Sequence, residues 1–380
     1  MIQNAEDNEY EEGVKPRIKF IVGKNYLLIQ NNEKGFRRED VWALCGIGQS
    51  TKRKALGYIG EKGIGFKSVF MITNEPHIYS NGFQFKFEYD ERNPVSIIIP
   101  KWVDEIPSFI DLQQTNIFLP FKPEVKRSRI NRYIKELDPA ILLFLRKIKL
   151  IEIEDEKRSQ SRKIERYEKN GMVQIVYDGK ESYWKVVKKS FRVPQWIREE
   201  RRQGIDETEI ILAFPLNKKG LPDVSNEQFV FAFLPVRKYG FRFIVQADFL
   251  LPVSREDIIK DNKWNEWLRD SIVKVFFDAV KEFKRDANLK YSFYSYIPVK
   301  EEINDEFFLP VVDQIYKKLQ KEKCVLSEAN RWRTPSEIVI GDEEIKKIVT
   351  NRDLQNIFGK EYLSGKVRSV SYTHLTLPTN

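Results

Sequence analysis

The sequence predicts an α+β protein with at least two domains, and three observations support this class. Between residues 17 and 148, segments that alternate apolar and polar residues are interleaved with helical segments. A second strand-rich block runs from residue 151 to 252, and the pattern turns helical from Trp264 to about residue 365. A chain of 380 residues is also long enough for two or three hydrophobic cores.

The first 150 residues contain the elements of an α/β layer. The predicted strands are the two halves of 17–32 around a turn at 23–25, then 83–90, 95–100 and 115–121. The predicted helices are 1–12 (the tail of a helix), 38–45, 66–73 and 129–148, the last kinked or divided at Pro139.

The second block begins with a polar hairpin at 155–163. Its further predicted strands are 172–179, 183–191, 209–216, 229–236 and 241–252. Trp264 and Trp267 are expected to pack in the core of the helical part that follows. We find no internal repeat.

Composition excludes several classes of protein. The chain is 41% hydrophobic and 32% charged, and apolar runs such as "AILLFL" are far too short to span a membrane. The acidic N-terminus does not resemble a secretory signal. Two distant cysteines predict reduced thiols and a cytoplasmic location. With His77 and His374 as the only histidines, a histidine metal site or a Ser-His triad is not expected.

The net charge of +9 is concentrated in one segment. Residues 122–202 hold 23 basic and 13 acidic residues, a net charge of +10. Such a segment is typical either of a surface that meets nucleic acid or of a solvated surface with mixed charges, since acidic residues interrupt nearly every basic run.

The segment "GYIGEKGIGFKSVF" (57–70) contains four glycines followed by Lys67. A Walker A loop requires Gly-Lys, but Phe66 separates Gly65 from Lys67, and a dinucleotide fingerprint would need glycine at Ser68. What remains is G-x-x-G-x-G opening a helix, or a glycine-rich turn without a ligand. In the first case, three glycines let the backbone approach phosphate oxygens, and N–H groups from about Phe66 face the anion. The three glycines are Gly60, Gly63 and Gly65, and Lys62 or Lys67 adds a charge-assisted contact.

Five segments together resemble the GHKL ATPases, in order and in spacing. They are "QNAEDN" (3–8), "NNEKGF" (31–36), "STK" (50–52), "GYIGEKGIGFKSVF" (57–70) and "TNIFLP" (115–120). The sequences of these segments are most similar to the sacsin and NO VEIN branch, which is related to the ninety-kilodalton heat-shock chaperone. The resemblance implies a Bergerat-type ATP-binding α/β sandwich, followed by an α/β middle domain and a mostly helical C-terminal segment. The expected boundaries are 1–147, 148–290 and 291–368.

The resemblance also implies roles for individual residues around Mg²⁺ and ATP. Asn4 corresponds to the asparagine that coordinates Mg²⁺. Asn31, with Asn32 beside it, stands where the family has the aspartate that reads the adenine amino group; Glu33 is the alternative source of a carboxylate. Gly35 lies under the base and Thr115 hydrogen-bonds near it. Residues from Ser50 to about 56 form a mobile lid, in which Lys52 and its basic neighbours approach phosphate or are solvated.

The resemblance places only some of the family's catalytic residues in this chain. The family's general base, a glutamate four residues before the asparagine, falls outside the chain; Glu6 and Asp7 face other sides of the helix. The resemblance therefore predicts a fragment that lacks the first strand and half of the first helix. "FRFIVQADFLLPVSREDI" (241–258) resembles the chaperone's middle-domain segment, so Arg255 is expected to reach the γ-phosphate or, alternatively, to cap a strand–helix junction. The uncharged stretch 369–380 is interpreted as an adapter-derived tail, the alternative being a genuine apolar tail.

Two hypotheses about function follow. The first is a chaperone-like module that binds Mg-ATP, with hydrolysis in a longer parent chain and a protein client or further domains as partners. The second is a non-hydrolysing, nucleotide-gated scaffold or a nucleic-acid-associated protein that uses residues 122–202. Neither hypothesis involves a membrane.

Overall fold

A computed structural model describes residues 1–46, 64–197, 199–341 and 343–367 of the chain. The chain divides into two units. The first comprises Met1–Lys169, Val173–Glu181 and Arg198–Glu207, and the second comprises Asn170–Met172, Ser182–Ile197 and Thr208–Asn380. The interpretation of residues 369–380 as a tail falls outside the described residues, and the predicted domain boundaries stay predictions.

The first unit is built on a mixed sheet. Its strands are β1 (Arg17–Val22), β2 (Tyr26–Asn31), β3 (His77–Ser80), β4 (Phe83–Lys86), β5 (Lys101–Trp102), β6 (Thr115–Pro120), β7 (Leu150–Asp155), β8 (Gln160–Lys169) and β9 (Met172–Tyr177). Over the part of the chain that the structure describes, eight of them follow the order β8-β7-β1-β2-β6-β3-β4-β5. The β1–β7 pair is parallel, and β1–β2 and β2–β6 are antiparallel.

Burial explains the positions of the central strands. In β1, Ile18, Phe20 and Val22 are buried and their neighbours are partly exposed, as expected for a strand with one covered face. In β2, every residue from Leu27 to Asn31 is buried, so both faces of this strand are covered. The predicted hairpin at 17–32 is confirmed.

The helices of the first unit are short. They are α1 (Ile2–Asp7), α2 (Arg38–Cys45), α3 (Ile64–Lys67) and α4 (Arg127–Lys135). The division predicted at Pro139 is confirmed, because a separate 3₁₀ helix, Pro139–Leu143, follows α4. Asp138 caps it by accepting a hydrogen bond from the Ala140 N–H at 2.9 Å.

The strand predicted at 95–100 is wrong. Pro94–Ile98 forms a 3₁₀ helix, and extended pairing begins only at Lys101. Pro94 lacks an N–H for a strand ladder, and its φ suits a first helical position. The Ser96 hydroxyl also accepts a hydrogen bond from the Asp90 N–H at 3.0 Å, which favours a turn.

The second unit combines strands with one long helix. Strand β10 (Lys180–Arg192) begins in the first unit and continues in the second; the others are β11 (Glu207–Leu216), β12 (Phe229–Ala232), β13 (Leu234–Lys238) and β14 (Ile244–Gln246). The single strand predicted at 229–236 is wrong, because Phe233 adopts φ +66° and turns the chain into a β12–β13 hairpin. Its N–H donates to Gln246 Oε1 at 2.8 Å.

The long helix α5 (Lys263–Phe283) begins at an asparagine cap. Asn262 Oδ1 accepts hydrogen bonds from the Trp264 and Asn265 N–H groups at 2.9 and 3.2 Å. Trp264 is 1% exposed, which confirms its predicted core position. Asn265 is fully buried, and its amide satisfies both the N–H and the C=O of Leu250, so it anchors the loop before the helix.

The C-terminal part alternates helical and extended pieces. They are α6 (Leu309–Leu319), β15 (Val325–Leu326), β16 (Trp332–Arg333), β17 (Ile338–Val339), α7 (Glu343–Ile348), α8 (Asn351–Phe358) and β18 (Glu361–Tyr362). The expectation of a mostly helical segment stays a prediction; its two-residue strands are too short to give an alternating pattern in the sequence.

Candidate functional site

Three strand ends of the first unit bring polar side chains together. Asn31 is the last residue of β2 and lies opposite Thr115, the first residue of β6. Ser80, the last residue of β3, has its Oγ 2.5 Å from Thr115 Oγ1. The three residues are only 5%, 3% and 3% exposed, respectively. Buried polar groups need hydrogen-bond partners, which come either from the protein or from a ligand.

Gly35 lies against this cluster. Its φ is +90°, and a Cβ placed there would be 2.6 Å from Asn81 Cβ and 3.4 Å from Ser80 Oγ. The next residue is held in place by two hydrogen bonds: the Phe36 N–H donates to Ser80 Oγ at 2.8 Å, and the Phe36 carbonyl accepts from Asn81 Nδ2 at 3.1 Å. Glycine is therefore required by both backbone conformation and space.

Replacing Gly35 with alanine is expected to lower the free energy of unfolding by about 3 kcal/mol, because positive φ and close contact both oppose a Cβ. Gly82→Ala is the matched control, since Gly82 has φ +79° but nothing within 4 Å of a Cβ. Backbone strain alone should cost about 1 kcal/mol there. Urea denaturation measures both; equal losses would show that the contact with Asn81 does not matter.

The Asn31 amide has an unusual set of neighbours. Tyr10 Oη lies 3.0 Å from Asn31 Oδ1 and 2.6 Å from the Ala5 carbonyl oxygen. Asn31 Nδ2 is buried and has no hydrogen-bond partner within the described part of the chain. Burial raises the pKa of Tyr10 well above its usual value, although the Asn31 contact opposes the shift. Sequence reasoning missed Tyr10 and Ser80, since neither carries a motif signal.

The neighbouring candidate Asn32 is engaged elsewhere. Its Oδ1 accepts from the Arg17 N–H at 2.8 Å and its Nδ2 donates to the Lys15 carbonyl at 2.9 Å. These bonds join the end of β2 to the start of β1. Of the two asparagines, the geometry therefore favours Asn31 for binding a ligand. The role suggested for Glu33 stays a prediction.

The first helix presents Asn4 and buries Glu6. Asn4 is exposed on α1, whereas Glu6 is 8% exposed. Glu6 Oε1 accepts hydrogen bonds from the Arg146 and Lys147 N–H groups at 2.6 and 2.9 Å, and Oε2 accepts from the Ile148 N–H at 3.0 Å. Glu6 thus anchors α1 to the chain before β7, a role that sequence reasoning did not find.

The glycine-rich segment is described only from Ile64 onward. The predicted site residues Ser50, Lys52, Gly60, Lys62 and Gly63 lie outside the described residues. The helix expected to start at Phe66 is already present at Ile64, the first described residue of this segment, and becomes 3₁₀ over Ser68–Met71. Gly65 and Lys67 lie in its α-helical part. The Phe66 ring is buried, with its centroid 6.1 Å from that of Phe87, so it anchors the helix to the core.

Arg255 belongs to the second unit. It has φ +60°, and its Nη2 donates to the Ala232 carbonyl, at the end of β12, at 3.3 Å. This contact agrees with the alternative of an arginine that caps the end of a strand. The role of Arg255 toward a phosphate stays a prediction.

Many cations of the basic segment are engaged in ion pairs within their own unit. Examples are Arg127 with Asp155, Lys163 with Glu152, Arg166 with Glu168, and Lys185 with Glu282. Such pairs reduce the charge available to phosphates. Binding of nucleic acid stays a prediction.

The described ranges contain no helix that is both long and apolar enough to cross a membrane. Within the same ranges, no three or more His, Cys, Asp or Glu side chains are grouped so as to hold a metal ion. A magnesium ion held mainly by nucleotide phosphates needs only one or two protein ligands, so Asn4 remains a suitable candidate.

Comparison with known proteins supports part of the resemblance seen in the sequence. The Sacsin domain family matches residues 2–88, a range that contains Asn4, Asn31 and Gly35. Protein NO VEIN of Arabidopsis thaliana is 33% identical to this chain over an alignment of 390 residues. The alignment covers 93% of this chain and 14% of that protein. The chain thus spans about a seventh of the length of this relative. The predicted similarity to the sacsin and NO VEIN branch is confirmed; the wider relation to GHKL ATPases and to the heat-shock chaperone stays a prediction.

Two solved structures resemble the chain more distantly. The N-terminal domain of a DNA repair protein is 11% identical, with a TM-score of 0.34 over 71% of this chain and 89% of that one. The B-subunit of DNA gyrase from Myxococcus xanthus is 11% identical, with a TM-score of 0.35 over 70% of this chain and 84% of that one. These scores are too low to establish a shared fold.

Proposed function

We propose that the first unit binds Mg-ATP, with the purine base at the cluster of Asn31, Ser80 and Thr115. The observation that carries the proposal is the Asn31 amide, which is 5% exposed and has an unpartnered end within the described residues. A buried amide that leaves a hydrogen bond unmade costs roughly 1–3 kcal/mol, and a ligand that completes the bond recovers this energy.

The residues around Asn31 suit a flat base with a polar edge. The Asn31 amide pairs with the polar edge of the base, and the Ser80 and Thr115 hydroxyls provide a second polar contact beside it. Gly35 packs against this cluster, where its lack of a side chain lets Asn81 and Ser80 approach the backbone. The residues present therefore fit the nucleobase.

The phosphate end of the proposal rests on the sequence. Asn4, exposed on α1, is the proposed Mg²⁺ ligand. The glycine and lysine residues of 57–70 hold the phosphates, with residues from Ser50 to about 56 as the lid. When bound, Mg-ATP supplies a phosphoanhydride whose hydrolysis we assign to a longer parent protein, with Arg255 contributing charge. A module that binds ATP without hydrolysing it is the alternative.

Isothermal titration of the 380-residue chain with Mg-ATP tests the proposal. We expect Asn31→Ala to weaken Mg-ATP binding about tenfold, because the amide contact with the base is lost. Asn25→Ala is the matched control: it removes an exposed amide at the opposite end of β2 and should leave the affinity unchanged.

The melting temperature of each variant shows whether the fold is intact. No binding of Mg-ATP at millimolar concentration by the unmodified chain would overturn the proposal. Binding without turnover by a longer parent protein would favour the non-hydrolysing alternative.

A further inference from the structure

Tyr10 has one hydroxyl proton and two oxygen neighbours. Its Oη is 2.6 Å from the Ala5 carbonyl oxygen and 3.0 Å from Asn31 Oδ1. A carbonyl oxygen only accepts hydrogen bonds, so the shorter contact requires the Tyr10 proton. Toward Asn31, the tyrosine oxygen then offers only a lone pair.

This restricts the orientation of the Asn31 amide. The oxygen and nitrogen ends of an asparagine amide have nearly the same shape, so hydrogen bonding decides which end faces Tyr10. The Tyr10 oxygen can accept a hydrogen bond only from the NH₂ end of the amide. Rotating the amide by half a turn satisfies Tyr10 and moves the oxygen to the position that has no partner within the described residues. An acceptor, rather than a donor, is then the free group of the site.

We propose that Tyr10 is a positioning residue that holds the Asn31 amide oxygen toward the ligand, so that the site prefers a 6-aminopurine nucleotide over a 6-oxopurine nucleotide. This inference rests on the proposed function. The 6-amino group of adenine donates a hydrogen bond to such an oxygen. The 6-oxo group of hypoxanthine or guanine would place two acceptors face to face, which leaves both unpaired.

Without the tyrosine hydroxyl, the amide is free to rotate and to serve either base. An aspartate at position 31 would present an acceptor in either orientation, because both of its carboxylate oxygens accept hydrogen bonds. Burial also raises the pKa of Tyr10 above its usual value, so the hydroxyl keeps its proton throughout the ordinary pH range.

Mg-ATP and Mg-ITP are the probes, since their bases differ in the group at the 6-position and in tautomeric form but not in bulk. The measured quantity is the ratio of their dissociation constants on the 380-residue chain. We expect ATP to bind about tenfold more tightly than ITP, and Tyr10→Phe to reduce this preference to about twofold. The double variant Asn31→Asp/Tyr10→Phe should regain the preference for ATP.

If Tyr10 had a merely structural role, Tyr10→Phe would lower the affinity for both nucleotides equally. That result would overturn the inference but not the proposal that the chain binds ATP. An absence of preference in the unmodified chain would also overturn it. No nucleotide binding at all would overturn the proposed function as well.

Should Tyr10→Phe fail to fold, NMR of the unmodified chain provides a second measurement. Nuclear Overhauser contacts between the Asn31 NH₂ protons and the Tyr10 ring support the proposed orientation. NH₂ protons that contact only the side away from Tyr10 would overturn it.

Discussion

Glu6→Ala is expected to lower the free energy of unfolding of the first unit by about 3 kcal/mol or more, and its melting temperature by roughly 6–12 °C. The carboxylate of Glu6 is the acceptor for three successive N–H groups, of residues 146, 147 and 148. Alanine leaves these donors without the carboxylate, and bonds to a charged acceptor are about twice as strong as neutral ones. Glu6→Gln should be nearly as harmful, because its NH₂ end would face an N–H donor.

Glu9→Ala is the control for this prediction. Glu9 lies just after α1 and pairs with Arg37, and both side chains are 61% exposed. An exposed pair of this kind contributes about 0–1 kcal/mol, so the variant should unfold almost like the unmodified chain. Thermal and urea denaturation distinguish the two cases. Similar small losses for Glu6→Ala and Glu9→Ala would contradict the proposed anchoring of α1.

The consequence for the site follows from the position of Asn4 on the same helix. If Glu6 holds α1, then Glu6→Ala should also weaken the binding of Mg-ATP, although Glu6 does not contact the proposed ligand. Weaker binding with an unchanged melting temperature would indicate a direct role for Glu6 instead.

Asp155→Asn is expected to lower the free energy of unfolding by about 3 kcal/mol at neutral pH. Asp155 is 3% exposed at the end of β7, where it accepts hydrogen bonds from Arg127 and Asn131 and, at 3.2 Å, from the Arg158 N–H. Burial alone would raise the pKa of this carboxyl, but the hydrogen bonds from Arg127 and Asn131 outweigh it and lower the pKa to about 2. The variant leaves the Arg127 guanidinium, which is 17% exposed, without its counter-charge.

The pH dependence of this effect has a definite sign. The folded-state pKa of about 2 lies below the unfolded value of roughly 3.9, so the unfolded chain binds the proton more readily as the pH falls. The contribution of Asp155, about 2.5 kcal/mol, is therefore complete above about pH 5 and is lost as the pH falls toward 2. The difference in stability between the unmodified chain and Asp155→Asn should shrink over the same window.

Asp178→Asn is the control, since Asp178 is 38% exposed and lies 3.4 Å from Arg162. Its φ of +47° is one that asparagine adopts easily, so this variant should change stability by less than about 1 kcal/mol at any pH. Urea denaturation between pH 3 and pH 7 measures all three proteins. A difference for Asp155→Asn that does not vary with pH would refute the ionic account.

Elements with strong local signals could be predicted from the sequence. The hairpin at 17–32 and the helix at 38–45 were found with the correct bounds, because alternation and the intervening turn depend on neighbouring residues. Predictions failed where a distant contact or a single backbone angle mattered. Nothing local indicates that Phe233 will adopt positive φ and donate to Gln246, so one predicted strand proved to be two.

The candidate site shows the same division. The sequence by itself determined that Asn31, Gly35 and Thr115 are the polar and glycine positions of interest, since they stand in segments that resemble one family in order and spacing. The contacts of Asn31 with Tyr10, of Thr115 with Ser80, and of Glu6 with the chain before β7 were decided only by the tertiary structure. Such contacts join residues up to 142 positions apart, and a hydrogen bond depends on the distance and direction between two atoms that only the folded chain brings together.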